Sequence, residues 1–334
     1  LRDKGHQVHW LGAQGGMEVE LVSGRGIPMS LIHIRGLRGK GLWRQLLAPV
    51  LLLRALGEAL MVVRRVRPDC VLGMGGFVTG PGGLAAWLLR VPLVIHEQNA
   101  IAGMTNRLLA RVATLVLEAF PGSFPARQVT RVTGNPVRRD VAEVVAPEQR
   151  YSERQGPLNL LVLGGSLGAQ ALNATVPAAL ALLPNDQRPC VRHQCGRQHE
   201  GATREAYECV AVDASVEPFI ADMAAAYAWA DLVICRAGAL TLAELCAAGV
   251  GAILVPFPHA VDDHQTHNAR YMAGAGGAVL VAQADLTAQG LAEQIAALTI
   301  DRTRIERMAQ AARLLARTDA TDRVVNYCLE TARV

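Results

Sequence analysis

Val162-Leu-Gly-Gly-Ser-Leu-Gly-Ala-Gln-Ala171 is the stretch on which the fold turns. Residues 158–163 are a short run of buried-type side chains and read as a central strand, whereas 169–183 read as a helix. Gly164, Gly165 and Gly168 therefore stand where a strand turns into a helix N-terminus, with the Ser166 hydroxyl beside them. Unpaired N–H groups and the positive end of the helix dipole suit such a place to an anion such as phosphate. The spacing is not that of a dinucleotide fingerprint, and the Lys of a phosphate-binding NTPase loop is absent. A phosphate site and a bare tight turn both stay open at this point.

Outward from this stretch the same alternation repeats in both directions. Downstream, strands are expected at 190–195, weakly at Val210 and Val212, then at 231–235, 252–255 and 278–281, between helices at 222–228, 240–248, 286–298, 305–316 and 320–332. Upstream, strands at 8–11, 31–34, 69–72, 91–95, 114–117 and 129–133 alternate with helices at 15–23, 42–66, 84–89 and 105–110. Two such runs predict an α/β protein with two doubly wound domains and a binding cleft between them. The expected division is 1–138, a linker of low periodicity at 139–157, a second domain at 158–318, and a C-terminal helix at 319–334 that packs back toward the first domain. Because a parallel α/β domain rarely begins with the tail of a helix, a first strand, its loop and most of a first helix are expected before Leu1.

Length and composition narrow the class. The 334 residues suffice for two domains, and 51% hydrophobic with 19% charged residues describe a folded chain. A net charge of +4 with only 4% aromatics, no basic tail and no aromatic ladder argues against nucleic acid. Seven scattered cysteines without a CxxC pair disfavour a zinc site or a disulfide scaffold and fit a reducing compartment.

The apolar segment 42–66 contains Arg54 and Glu58 in its middle, so it does not span a bilayer. Arg35, Arg38, Lys40 and Arg44 precede or open it, and Arg64, Arg65 and Arg67 close it. Ordinary core packing alone, or packing plus contact with anionic head groups, are the two readings left.

In parallel sheets, ligands lie at the C-terminal edge of the strands. Four loops of the second half should converge there: at Gly164, at Phe219 and Ile220, at 236–244, and at 256–265. Thr241 lies at a helix N-terminus with Ala239 and Leu240 and can offer N–H groups to phosphate. Glu244, one turn on, suits the two hydroxyls of a ribose, or else simply faces solvent. Asp262 and Gln265 could grip a polar sugar, or form an N-terminal cap. In the first half, Gly73-Met-Gly-Gly76 follows a strand, and His96-Glu-Gln-Asn99 follows another, either as a structural polar network or as a ligand contact. His259, His264 and His267 with Asp262 and Asp263 fit no common metal spacing, and no Asp-x-Asp pair follows a strand, so no metal site is assigned.

These motifs, with Gly134-Asn-Pro-Val-Arg138 and Cys235-Arg-Ala-Gly-Ala-Leu-Thr241, resemble in order and spacing the MurG family over residues 1–330. The resemblance implies a GT-B fold and inverting transfer of N-acetylglucosamine from UDP-N-acetylglucosamine to the 4-hydroxyl of the muramoyl sugar of lipid I, giving lipid II for peptidoglycan. By the same resemblance Ile220 contacts uracil through its backbone, Glu244 the ribose, and Ser166, Ala239, Leu240 and Thr241 the diphosphate. Leu242, Ala243, Asn99, Arg138, Asp262 and Gln265 complete the donor set. Gly73, Met74, Gly75, Gly76, His96 and Glu97 are implied for the acceptor, and Arg35, Arg38, Lys40, Trp43, Arg44, Leu47 and Leu51 for membrane contact. The general base is expected on a glycine-rich loop before residue 1, so no residue here is assigned that role. No prosthetic group is implied, and no sequence site supports Mg2+. Implied partners are lipid I, anionic lipids, and cell-wall synthesis and division proteins, at the cytoplasmic face of the plasma membrane. Two rivals share the donor loops: another GT-B nucleotide-sugar transferase, separated by the Gly73 loop and the 35–67 stretch, and an inactive UDP-sugar-binding fragment.

Overall fold

A computed structural model describes residues 1–16, 18–34, 42–152, 154–165 and 168–333. The chain forms two compact units, Leu1–Thr133 with Thr321–Val334, and Gly134–Ala320.

The first unit runs β1 (Trp10–Ala13), α1 (Glu18–Ser23), β2 (Met29–Ile32), α2 (Leu42–Val66), β3 (Val71–Gly73), α3 (Thr79–Leu88), β4 (Leu93–Glu97), α4 (Met104–Leu109), β5 (Leu115–Glu118) and β6 (Arg131–Val132). Every pairing is parallel, but β1 and β2 form their own ladder beside a separate sheet β3-β4-β5-β6. The single sheet expected for this half is therefore divided among the described residues. In β4 successive side chains point to opposite faces. Leu93 and Ile95 pack with Ala86, Leu109 and Val116, while Val94 packs with Leu117 on the other face. Both faces are covered, which is why this strand reads as a continuous apolar run.

The second unit contains α5 (Arg139–Ala142), α6 (Pro147–Ser152), β7 (Asn159–Leu163), α7 (Gln170–Ala181), β8 (Cys190–Gln194), α8 (Glu200–Cys209), β9 (Ser215–Glu217), α9 (Met223–Trp229), β10 (Leu232–Cys235), α10 (Ala239–Ala248), β11 (Gly251–Leu254), α11 (His264–Gly274), β12 (Ala278–Leu280), α12 (Ala288–Ile300) and α13 (Arg302–Leu314). Its parallel sheet has the order β12-β11-β10-β7-β8-β9. Central β7 sends Leu160 and Val162 into one core cluster and Leu161 and Leu163 into the other. The last helix, α14 (Ala320–Ala332), returns to the first unit, where Val324 and Cys328 pack against Val94 and Leu117.

Three expectations are corrected. Residues 139–157 belong to the second unit as α5 and α6: Arg150 Nη1 donates to Val145 O at 3.1 Å and Ala248 O at 2.9 Å. Helices of four and six residues are too short to show periodicity. The weak strand at Val210 and Val212 is instead the turn after α8, where Ala211 has φ 52°, and the pairing strand is β9. The helix expected at 84–89 begins earlier, because α3 starts at Thr79 and takes in Pro81, Gly82 and Gly83. Gly83 is there for close packing, since a Cβ would lie 2.8 Å from Leu109 Cδ1.

Among its described side chains, helix α2 buries a narrow stripe, Ala55, Ala59 and Val63, spaced four residues apart. Val50, Leu51, Leu52, Leu53 and Met61 are exposed, and Glu58 accepts from Arg54 Nε at 2.9 Å. Among the described residues no helix is long and apolar enough to cross a membrane.

Candidate functional site

In the second unit the C-terminal strand edge is built by hydrogen bonds between loops. After β7, Gly165 and Gly168 have φ of +79° and +77°, the left-handed region in which glycine is unstrained. Gly168 also has no space for a side chain, because a Cβ would meet Cys195 O at 2.3 Å. Gln194, at the end of β8, accepts from Gly165 N at 2.9 Å and donates to Gly165 O at 2.9 Å and Pro218 O at 3.2 Å. The side chain of Ile220 is buried in the core, leaving its backbone at the edge beside exposed Phe219. Ser166 lies outside the described residues.

Helix α10 begins after Gly238 without a side-chain cap. The first N–H groups of a helix have no partner within it, so those of Ala239, Leu240 and Thr241 are the natural donors to an anion. Ala239 and Leu242 are buried, Leu240 is exposed, and Thr241 and Ala243 are half-buried. The loop before it is held by Asn268, whose Nδ2 donates to Ala237 O at 3.1 Å. Arg236 adds a second tie, donating from Nη1 to Val255 O at 3.2 Å and from Nη2 to Gln283 Oε1 at 2.6 Å.

Glu244 is held from two sides. Its Oε1 accepts from Arg138 Nη2 at 3.2 Å, and its Oε2 accepts from the Tyr227 hydroxyl at 3.0 Å. Burial, with the Glu244 carboxylate next to it, pushes the Tyr227 phenol well above its ordinary value, so it stays a donor. Oε1 also accepts from Arg138 Nε at 3.3 Å, whereas Oε2 keeps a lone pair that a further hydroxyl can use.

After β11, Gln265 Oε1 accepts from Phe257 N at 2.9 Å. Asp262 and Asp263 have φ of 54° and 51°, and Asp263 Oδ1 accepts from the Thr266 hydroxyl at 2.6 Å. Two consecutive non-glycine residues in the left-handed region mark stored strain at the start of α11. Among the described residues no three His, Cys, Asp or Glu side chains stand where they could hold a metal ion.

In the first unit the Gly73 turn and the segment after β4 meet: a Cβ on Gly75 would lie 3.2 Å from Gln98 Oε1. Thr79 Oγ1 donates to Gly75 O, and Met74 and Phe77 are exposed. His96 and Glu97, expected among acceptor contacts, lie inside β4 at 0% and 2% exposure. Glu97 Oε1 accepts from Asn99 N at 2.9 Å and Nδ2 at 3.1 Å, while Oε2 accepts from Gly103 N at 3.1 Å and Asn106 Nδ2 at 2.8 Å. His96 sits between Thr133 Oγ1 at 3.1 Å and Gln98 Nε2 at 3.2 Å. Buried in this way, both residues shape the turn that carries Gln98 and Asn99. Asn99 lies in this unit, whereas the rest of the expected donor set lies in the second.

Of the residues expected at a membrane, Arg35, Arg38 and Lys40 lie outside the described residues, as do the side chains of Trp43, Arg44 and Leu47. Leu51 is exposed. Sequence reasoning missed Gln194, Tyr227, Arg236 and Asn268. Gln194 carried a usable signal, a polar residue closing an apolar strand.

Comparison with known proteins gives concordant matches. The glycosyltransferase family 28 N-terminal domain matches residues 1–118, and the family 28 C-terminal domain matches residues 159–324. A UDP-N-acetylglucosamine--N-acetylmuramyl-(pentapeptide) pyrophosphoryl-undecaprenol N-acetylglucosamine transferase of Marinobacter nauticus is 66% identical over 99% of this chain and 92% of its own length. The protein of the same name from Alkalilimnicola ehrlichii is 56% identical over 100% of this chain and 93% of its own. The crystal structure of Acinetobacter baumannii MurG superposes with a TM-score of 0.86 at 42% identity, covering 98% of this chain and 92% of that one.

Proposed function

The chain belongs to glycosyltransferase family 28 and, within it, to the MurG family, and from that premise we propose how its residues divide the work. The fold is GT-B, with two Rossmann-like parallel-sheet units. The activity is transfer of N-acetylglucosamine from UDP-N-acetylglucosamine to lipid I, forming lipid II for peptidoglycan. High identity along nearly the whole chain is the observation that carries this reading.

The second unit is the donor side. Uracil pairs with the Ile220 backbone, the ribose hydroxyls donate to Glu244, and the diphosphate lies between the glycine turn with Ser166 and the N-terminus of α10. Loss of UDP builds negative charge on the β-phosphate, and fixed N–H groups and a helix dipole stabilise it without reorganising. Asp262 and Gln265 lie nearest the sugar, with Arg138 and Asn99 as further donor contacts. Inversion follows from attack by the 4-hydroxyl of the muramoyl sugar on the face opposite UDP, as the hydroxyl gives up its proton to a base.

The first unit is the acceptor side, with Gly73, Met74, Gly75 and Gly76 against the acceptor diphosphate. A lipid-anchored acceptor requires the enzyme to work at the cytoplasmic face of the membrane. Exposed Val50 to Leu53, Met61 and the cations Arg64, Arg65 and Arg67 support a peripheral seat there on anionic lipid. Calorimetric titration tests the donor side: UDP-N-acetylglucosamine and UDP should bind at one site, and ADP-glucose should not. Equal binding of ADP-glucose would refute the uracil assignment.

A further inference from the structure

Gln194 stands outside every assigned contact, yet it joins two loops that the donor reading gives to opposite ends of UDP. Its side chain is nearly buried, at 5% exposure, at the last position of β8. That strand lies between β7, which leads into the glycine turn, and β9, which leads into the segment before Ile220. The amide grips Gly165 at two points, accepting from its N–H and donating to its carbonyl, each at 2.9 Å. Its second Nε2 hydrogen goes to Pro218 O at 3.2 Å, two residues before Ile220. Both amide hydrogens are thereby used, and a left-handed glycine has its peptide orientation fixed on both sides.

We infer that Gln194 is a positioning residue for the donor: it holds the phosphate turn and the base-binding segment at the spacing of a nucleoside diphosphate. The inference rests on the donor reading above. Among the described residues the last ladder bonds beside this bridge are Gly164 N to Gln194 O at 2.8 Å and Cys195 N to Glu217 O at 3.0 Å. Beyond those bonds the two loops are spaced by the amide. A ligand that touches both loops senses that spacing.

Two variants test it. Gln194→Met keeps the length and removes every polar contact. Gln194→Glu keeps the acceptor but loses both donors when ionised, and regains one when protonated. UDP binding is measured by calorimetry on parent and variants at pH 8 and pH 5.5, at least 15 °C below each melting temperature. We expect the Kd for UDP to rise tenfold or more in both variants at pH 8. Relative to parent at each pH, Gln194→Glu should recover at least threefold at pH 5.5, and Gln194→Met should not. A purely structural role would lower the melting temperature of both and leave that pH-dependent difference at zero. Should the parent bind UDP and both variants bind it within twofold of parent, the inference is overturned and the donor reading stands. If Gln194→Met does not fold, the Gln194→Glu arm decides alone, with no recovery at pH 5.5 counting against the inference. A parent that does not bind UDP overturns the donor reading and this inference with it.

Discussion

Tyr227 and Arg138 hold the two oxygens of Glu244, so the carboxylate is oriented before any ligand arrives. Replacing Glu244 with Ala should raise the Kd for UDP by roughly tenfold or more while the fold survives, about the worth of one charged hydrogen bond. Tyr227→Phe removes only the hydroxyl. It should raise the donor KM roughly threefold to tenfold with the acceptor KM unchanged, and an unaltered donor KM would show that Tyr227 serves packing alone. His193 makes a separate prediction about stability. It is enclosed between the Tyr207 hydroxyl at 2.9 Å and Asn173 Oδ1 at 3.0 Å, and burial lowers it from 6.5 to about 4. Between those values the unfolded chain binds the proton and the folded one does not. The stabilisation is therefore complete above pH 6.5 and is lost as pH falls toward 4, by about 3 kcal/mol in full. Denaturant titrations at pH 7.5 and 5 should show about 2 kcal/mol of this fall in the parent and a smaller one in His193→Gln. The sequence singled out Glu244, and it carried a usable signal for Gln194 as a polar residue closing an apolar strand. What it withheld was Tyr227, because an aromatic in an alanine-rich helix reads as core until its hydroxyl is seen to reach a carboxylate.

Period-2 and continuous apolar runs made most strands legible at the level of elements, and β7, β10 and β11 fall within a residue or two of expectation. The errors fall where local pattern loses to packing. Gly82 and Gly83 look like loop residues, but α3 uses them for close approach, and the spacing of Val210 and Val212 says nothing about which strand finds a partner. Apart from these errors, the sequence did not show that the chain folds back after β4 to bond Glu97 with four N–H groups. Helix α2 shows the opposite case, since its excess of apolar side chains over the buried stripe was visible from composition. Val50→Gln with Leu53→Gln should weaken co-sedimentation with anionic vesicles roughly tenfold or more while leaving the melting temperature within a few degrees, because both side chains are already exposed. Unchanged vesicle binding would remove this helix from the membrane surface.

For the whole molecule, two successive strand-and-helix runs predicted two parallel-sheet units, and the structure contains two. The C-terminal segment crosses the division: the chain leaves the first unit at Thr133 and returns to it at Thr321. The amphipathic face of α14 packs through Val324 and Cys328 on Val94 and Leu117 of that unit. Most residues proposed for the donor stand on loops after β7, β9, β10 and β11 of one sheet, and each loop carries its own motif. The most direct measurement is transfer itself: radiolabelled UDP-N-acetylglucosamine is incubated with a lipid I analogue, and the lipid-extractable disaccharide is quantified against UDP-glucose as competing donor. The expected result is acceptor-dependent transfer of N-acetylglucosamine, abolished or strongly reduced in Glu244→Ala. Label that never enters the lipid fraction, or whose entry an equal concentration of unlabelled UDP-glucose halves, would contradict the assignment.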